Sequence, residues 1–453
     1  MTAEKINSEL SRWRGGSFIY RLVGLLSPWR EGSYLLQWAE PLGMGLMGLV
    51  VALTPFVSST LVGVLLIAGA GYWGILTLSE RNLIGLTPVH LLVLLYWGIA
   101  TIALAFSPVK AEAFRGWVTL TLYLFWFALS ARVLRSPSLR NWTIALYLLI
   151  SLIISVYGIR QEIFGVEQLA TWNDPESELA ESTRAYSYLG NPNLLAGYLI
   201  SAIALSISAL WVWRTWLQKG VAFTALLVNT YCLYATDSRG GWIALVGVLA
   251  VYFLLLYYWY REALPQFWRI WLLPLVFAFF AGLILAAITF VEPLRLRVMS
   301  IFAGREDSSN NFRLNVWYAV FEMIRDRPWS GIGPGHSAFN AVYPLYQRPN
   351  YTALSAYSIY LEHLVEMGAI GFTAFLGLLG SIAYHGWQKI TALRANRERE
   401  GFWIIGAIAA IVGMLTHGLV DTVWYRPEIS TLWWLMVALV ASYYPQIDAA
   451  DQE

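Results

Sequence analysis

EPLRLRVMSIFAGREDSSNNFRLNVWYAVFEMIRDRPWSGIGPGHSAFNAVYPLYQRPNYTALSAYSIYLEHLVEM, residues Glu292 to Met367, is a polar stretch in a chain that is otherwise almost continuously apolar. It carries seven arginines: Arg295, Arg297, Arg305, Arg313, Arg325, Arg327 and Arg348. Loops this long are uncommon in compact proteins and carry function or disorder. This one is dense in aromatics and has helix signals of its own, so it reads as folded and packed on its surroundings.

Those surroundings are a membrane domain. The chain has 453 residues, of which 58% are hydrophobic and 13% charged. Soluble domains carry about 25% charged residues. The 23 Trp and 26 Tyr suit a protein with many membrane–water boundaries. A span needs about 20 apolar residues, and twelve segments qualify: 35–57, 60–78, 87–106, 116–134, 141–159, 191–213, 219–236, 241–260, 270–291, 367–387, 402–420 and 430–446. The fold expected is all-α: a polytopic transmembrane helical bundle of about 12 spans with a long folded outward (periplasmic) loop. No basic domain stands apart, which argues against nucleic acid. The single cysteine, Cys232, cannot form an internal disulfide. The first 30 residues are polar and basic without an apolar core, so no cleavable signal peptide is expected.

Lys and Arg set the orientation. With a cytoplasmic N-terminus, the inner segments hold 17 of the 30 and the outer segments 13, seven of them in the long loop, which the rule discounts. The expected order is a basic cytoplasmic tail (1–34), spans one to nine (35–291), a periplasmic loop (292–366), spans ten to twelve (367–446) and a cytoplasmic tail (447–453). The expected location is the inner (plasma) membrane, with both termini cytoplasmic. A second outer loop, 160–190, carries Glu162, Glu167, Asp174, Glu176, Glu178 and Glu181 against Arg160 and Arg184. No acid is placed convincingly at mid-membrane; Glu40 comes nearest. Ion-coupled transporters usually bury such groups.

Three helix starts meet the outer face in this arrangement. Span six opens with Asn191-Pro192-Asn193, a cap followed by proline at the first helical position, seven residues after Arg184. Span eight opens at Asp237-Ser238-Arg239-Gly240-Gly241. Within the long loop, Asn310-Asn311 caps a predicted helix that runs to about Asp326, with Trp317, Val320, Phe321 and Ile324 as its apolar face and Arg313 on the packed side. A cation in the first turn opposes the helix dipole, and a bound anion reverses the sign. Exposed N–H groups plus arginine make a ready anion site. Arg184, Arg239 and Arg313 are therefore expected to share one anion site. The competing use is pairing with nearby acids such as Glu181, Asp237 and Glu306, or with lipid headgroups.

Gly331-Ile332-Gly333-Pro334-Gly335 has the composition of a backbone nest, but lacks the Gly-Lys-Ser/Thr ending of a P-loop; a tight turn is the simpler use. His90, His336, His363, His385 and His417 show no metal-ligand spacing, and neither metal nor cofactor is expected. His336 and His363 are on the loop, where a general base could act. His417, next to Asp421 and Arg426, reads as a structural hydrogen-bonder.

The order of these features resembles the O-antigen ligase and polymerase superfamily of bacterial inner-membrane proteins, over roughly Tyr147 to Tyr425. The resemblance rests on Arg184 before Tyr188-Leu189-Gly190-Asn191-Pro192-Asn193, on Ser238-Arg239-Gly240-Gly241-Trp242, and on Asn311-Phe312-Arg313 with Trp317. Asp326-Arg327-Pro328-Trp329-Ser330-Gly331-Ile332-Gly333-Pro334-Gly335, Tyr360-Leu361-Glu362 and Glu366-Met367-Gly368 continue it. Such proteins bind an undecaprenyl-pyrophosphate-linked glycan through arginines and transfer the glycan without a metal. The resemblance puts Arg184, Arg239 and Arg313 on those arginine positions. The family's catalytic His-Asn pair falls here on Tyr357 and Ser358. Tyrosine, with a reference pKa of about 10, is a poor base, so transfer would need His336 or His363 to stand in.

A more detailed, nearly full-length resemblance is to a cyanobacterial branch described as inorganic-carbon accumulation or bicarbonate transport proteins. It includes Gly304-Arg305-Glu306-Asp307-Ser308-Ser309-Asn310-Asn311-Phe312-Arg313, Thr352-Ala353-Leu354-Ser355-Ala356-Tyr357-Ser358 and Tyr425-Arg426-Pro427-Glu428. It implies a role in bicarbonate accumulation, as transporter or as accessory to a membrane-protein partner. The alternative is a glycan ligase or polymerase. The partners expected are thus the lipid bilayer and either a small anion, bicarbonate, or a lipid-linked pyrophosphate glycan.

Overall fold

The computed structural model describes residues 23–80, 86–169, 183–302, 304–305 and 307–443. Most of the basic tail, Asp174, Glu176, Glu178, Glu181, Glu306 and residues 447–453 lie outside them. The described residues are helical, without strands. In chain order the helices are α1 (Ser27–Gly32), α2 (Ala39–Leu53), α3 (Ser59–Ser79), α4 (Pro88–Phe106), α5 (Lys110–Val133), α6 (Pro137–Phe164), α7 (Pro192–Val212) and α8 (Trp216–Ala235). There follow α9 (Arg239–Tyr260), α10 (Gln266–Phe290), α11 (Glu292–Phe302), α12 (Ser308–Asp326), α13 (His336–Val342), α14 (Ile359–Ala395), α15 (Gly401–His417) and α16 (Pro427–Ala441).

Each of the twelve expected spans falls on a helix. Nine helical stretches among the described residues are long and apolar enough to cross a membrane. The others are α15 and α16, apolar but only 17 and 15 residues long, and α8, which belongs to neither group.

Small residues decide which helices lie at the centre. α7 reads Ala196, Gly197, Ser201, Ala202, Ala204, Ser206, Ser208 and Ala209 on buried positions, and 83% of its apolar window is buried. α15 answers with Gly406 and Gly413. A Cβ on Gly406 would lie 2.1 Å from Ser208 Oγ, and one on Gly413 would lie 2.6 Å from Ile200. In lipid there is little hydrophobic drive between helices, so close backbone approach and the dispersion it allows hold them. At the other extreme, α10 has no buried residue.

At the end of the bundle away from the long loop, charges pair. Arg132 is 2% exposed and meets Glu40 at 3.2 Å and Glu80 at 3.0 Å. Arg140 is bonded to Glu400 and stacks on Tyr443 at 3.9 Å. Glu40 is thus an ion-pair partner at this face.

The 292–366 segment folds on the opposite face around its own small core of Val316, Ala319, Val320, Met323, Ile332, Phe339 and neighbours. α12 has Asp307 as its cap, accepting from Asn310 N at 2.8 Å, three residues earlier than the expected Asn310. The buried stripe of α12 is Asn315, Val316, Ala319, Val320 and Met323. Phe321, expected on the apolar face, is exposed, because the stripe runs along 316, 319, 320 and 323. Trp317 is half-buried and donates from Nε1 to Ala356 O at 3.0 Å.

The glycine run is a docking turn. Ile332 N and Gly333 N donate to Val365 O and Glu366 O at 2.9 and 2.8 Å, so these amides are spent inside the protein. Gly368, at φ 63°, breaks α14 into a loop-side piece and the span; a Cβ there would lie 2.2 Å from Trp329 O.

Candidate functional site

The three helix starts converge. Asn191 caps α7, accepting from Asn193 N and Leu194 N, and Ser238 caps α9, accepting from Gly241 N. Ser238 Oγ donates to Asn193 Oδ1 at 2.9 Å, tying the two starts together. Arg184, 6% exposed, donates to Thr236 O at 3.0 Å and to the same Asn193 Oδ1 at 3.3 Å. It therefore braces this junction.

Arg239 leads from α9 to α12. Its two terminal nitrogens meet the two carboxylate oxygens of Asp307 at 3.1 and 3.0 Å, and Nη1 also donates to Ser300 O and Oγ. The side chains of Arg239 and Asp307 are each 12% exposed. A two-pronged guanidinium–carboxylate pair is among the stronger hydrogen-bonded arrangements. The fork expected to hold an anion thus holds the cap of α12.

Arg313 stands one turn into α12. Nη1 donates to Ser309 Oγ at 2.8 Å, while Nε is buried with no hydrogen-bond partner. Burial pulls its guanidinium below the ordinary arginine value; Asp421 offsets this and Arg239, a like charge, adds to it. An anion between the two arginines would relieve both effects.

One neighbour was read from the sequence only as a structural hydrogen-bonder. His417, 1% exposed, lies against the start of α9: a Cβ on Gly240 would be 3.4 Å from its Cδ2. Its Nε2 has no hydrogen-bond partner, and Asp421 and Arg313 both act on it electrostatically. The signal available in the sequence was the His417–Asp421 spacing of four at a helix end, which alone is too common to select it.

The other candidates are placed elsewhere. Tyr357 sits at φ 50°, its ring edge-on to Phe312 at 5.4 Å, between Arg313 and Asp421 in electrostatic terms. Burial, then the Asp421 and Tyr425 charges, push its hydroxyl still further above the ordinary tyrosine value, and Arg313 only partly opposes them. His336 and His363 line a separate cavity of about 620 Å³ with Glu362, Glu366, Tyr425 and Arg426, and none of the three arginines borders it. His336 stacks on Tyr425 at 4.5 Å and meets Asn340 at 2.8 Å. Burial lowers its pKa below the ordinary histidine value. These two histidines are therefore not the ones beside the arginines. Glu362 and Glu366, 6% and 8% exposed, are buried acids.

Residues 224–376 match the O-antigen ligase family. The match begins in α8, takes in Arg239, Arg313 and Tyr357, and ends inside α14; Arg184 and His417 lie outside it. It supports the superfamily resemblance drawn from the motifs, in a chain whose apolar helices are those of a multi-pass membrane protein. No curated protein matches the chain.

Proposed function

We propose that the chain is an oxyanion-binding membrane protein with a role in inorganic-carbon accumulation, and that Arg239 and Arg313, braced through Arg184, bind bicarbonate. The carrying observation is the Arg239–Asp307 fork. Bicarbonate presents the same planar pair of oxygens as the Asp307 carboxylate, so an arginine that grips one in two-pronged fashion is shaped for the other. Both partners of the fork are 12% exposed, and the 620 Å³ cavity is not bordered by the three arginines. In this reading the long loop faces outward, the termini are cytoplasmic and the membrane is the inner one.

The second reading, a glycan ligase or polymerase that holds a polyprenyl pyrophosphate on the same arginines, is favoured by the family match over 224–376. Tyr357 in the base position weighs against it.

The test is titration of the purified protein with bicarbonate. Asp307→Asn keeps a cap on α12 but frees the arginine fork. Affinity should rise about tenfold, or ~1.4 kcal/mol. Arg239→Lys should weaken binding, since the fork is lost. Unchanged affinity in both variants would remove the reading. Turnover of a lipid-linked glycan by the wild-type protein would replace it with the second.

A further inference from the structure

Ion-coupled membrane proteins keep acids buried where they bind the coupling ion. The sequence placed no such acid, but the structure buries two. Glu362 and Glu366, 6% and 8% exposed, stand four residues apart on one face of the loop-side piece of α14, just before the break at Gly368. Glu366 acts on Glu362 as a like charge. Both line the 620 Å³ cavity. Among its described lining residues Arg426 is the one lysine or arginine, and it is held by Glu428 at 3.1 Å. The other titratable lining groups are His336, His363, Tyr96, Tyr123 and Tyr425. His336 meets Asn340 at 2.8 Å and His363 meets Tyr96 at 3.2 Å. Neither glutamate forms an ion pair among the described residues. Two neighbouring buried carboxyls without a counter-cation do not both ionise, because the second charge meets both the low dielectric and the first charge. A cavity of this size with polar walls also has room for water, the source of a proton. Thr422 on the same wall is 3% exposed, and its Oγ1 has no partner to compete with that water.

The pair is tied to the arginine cluster by three contacts. Glu362 Oε2 accepts from Ala356 N at 2.7 Å, and Ala356 O accepts from Trp317 Nε1, one turn past Arg313 on α12. Ile359 N, at the start of α14, donates to Gly418 O, beside His417, at 2.8 Å. Tyr425 feels the charges of both Glu362 and Asp421, and Asp421 acts on Arg313.

We propose that Glu362 and Glu366 together bind one proton, and that this proton is taken up with the oxyanion at the arginine cluster. The linkage rests on the bicarbonate reading above; the shared proton does not. A proton on the pair removes one negative charge beside the anion site, so it tightens anion binding. By reciprocity, a bound bicarbonate raises the affinity of the pair for its proton. The anion and the proton then enter with no net charge.

Infrared spectra of the purified full chain, without added anion, read the proton. A protonated carboxyl has a carbonyl band that a carboxylate lacks. The wild type should show this band at pH 7 and lose it on raising the pH. Glu362→Gln and Glu366→Gln should each lack it, because the surviving carboxyl is freed from its neighbour's charge. A wild type without the band, or either variant that keeps it, would overturn the shared proton. Bicarbonate titration reads the linkage. Wild-type affinity, expressed per free bicarbonate, should fall about fivefold from pH 7 to pH 8.5. Glu366→Gln, fixed at the charge of the singly protonated pair, should bind at both pH values as the wild type does at pH 7. That binding also shows that the variant is folded. Equal pH dependence in the two proteins would overturn the linkage and leave the bicarbonate reading in place. Absence of bicarbonate binding by the wild type would remove that reading and the linkage together, and the band would still decide the proton site.

Discussion

Tyr357 carries the sharpest single-residue question. Its hydroxyl is pushed away from ionisation by burial and by Asp421, so it cannot act as a general base near neutral pH. The purified protein should therefore show no glycosyl transfer from a lipid-linked glycan in a product assay. Tyr357→His with Ser358→Asn would recreate the family pair in a backbone that tolerates it, since φ is 50° at residue 357, where histidine is one of the commoner non-glycine residues. Ser358 stands at the N-cap position of α14 without a side-chain capping bond, and asparagine fits that position well. Any transfer gained should vanish with Arg239→Ala; robust wild-type turnover would defeat the expectation. His336 allows a second test. Its pKa is lowered by burial, so folding favours the neutral ring. That stability is complete above the unfolded value of about 6.5 and is lost as pH falls through the folded value. The Tm of the wild type should drop between pH 7 and pH 5, and His336→Gln should drop less over the same interval. Equal slopes would mean that other groups carry the acid sensitivity.

At the scale of elements, two of the five glycines of α14 have opposite roles. Gly368 has φ 63°, and a Cβ there would meet Trp329 O at 2.2 Å, so Gly368→Ala meets both a backbone penalty and a steric clash with the docking turn. It should cost more than about 2 kcal/mol and be read as a large fall in Tm. Gly380, exposed and with open space at its Cβ, should tolerate alanine or gain up to about 1 kcal/mol from helix propensity. If the two substitutions behave alike, the turn is not what holds the loop to the span. The elements also show what a sequence can reveal. The cap at Asn191 was legible because capping is local: a side chain serves amides two or three residues on. The cap of α12 was misplaced because Asp307, Asn310 and Asn311 are all good caps, and Asp307 is selected by Arg239, 68 residues away. Phe321 was assigned to the buried face because a rotation of one residue, about 100°, separates two overlapping apolar stripes on α12, and only the partners Ile332 and Phe339 choose between them. His417 and the buried pair Glu362 and Glu366 were missed for the same reason. Their burial comes from neighbours distant in sequence.

For the whole molecule, the open question is which face looks outward, and the charge arrangement gives an argument. Arg132, Arg135 and Arg140 gather with Glu40, Glu80 and Glu400 at one end of the bundle, while the folded loop occupies the other. Pairing lowers the electrostatic cost of these arginines within the protein, yet it leaves their number unchanged, and the orientation rule counts lysine and arginine without crediting acids. The end with Arg132 therefore reads as cytoplasmic and the loop as outward. α14 joins the two: beyond Gly368 it runs unbroken to Ala395, a rise of about 40 Å at 1.5 Å per residue, enough to cross a hydrocarbon core of about 30 Å. Leu345 on the loop is 80% exposed and Asn396 just past α14 is exposed as well, so a cysteine at either place can react with a maleimide. The native Cys232 is fully buried and should stay silent. In intact cells an impermeant maleimide should label Leu345→Cys and leave Asn396→Cys unlabelled until the membrane is opened. Labelling of Asn396→Cys alone would invert the protein and move the arginine cluster to the cytoplasmic side. Labelling of both sites from outside would mean that α14 does not cross the membrane.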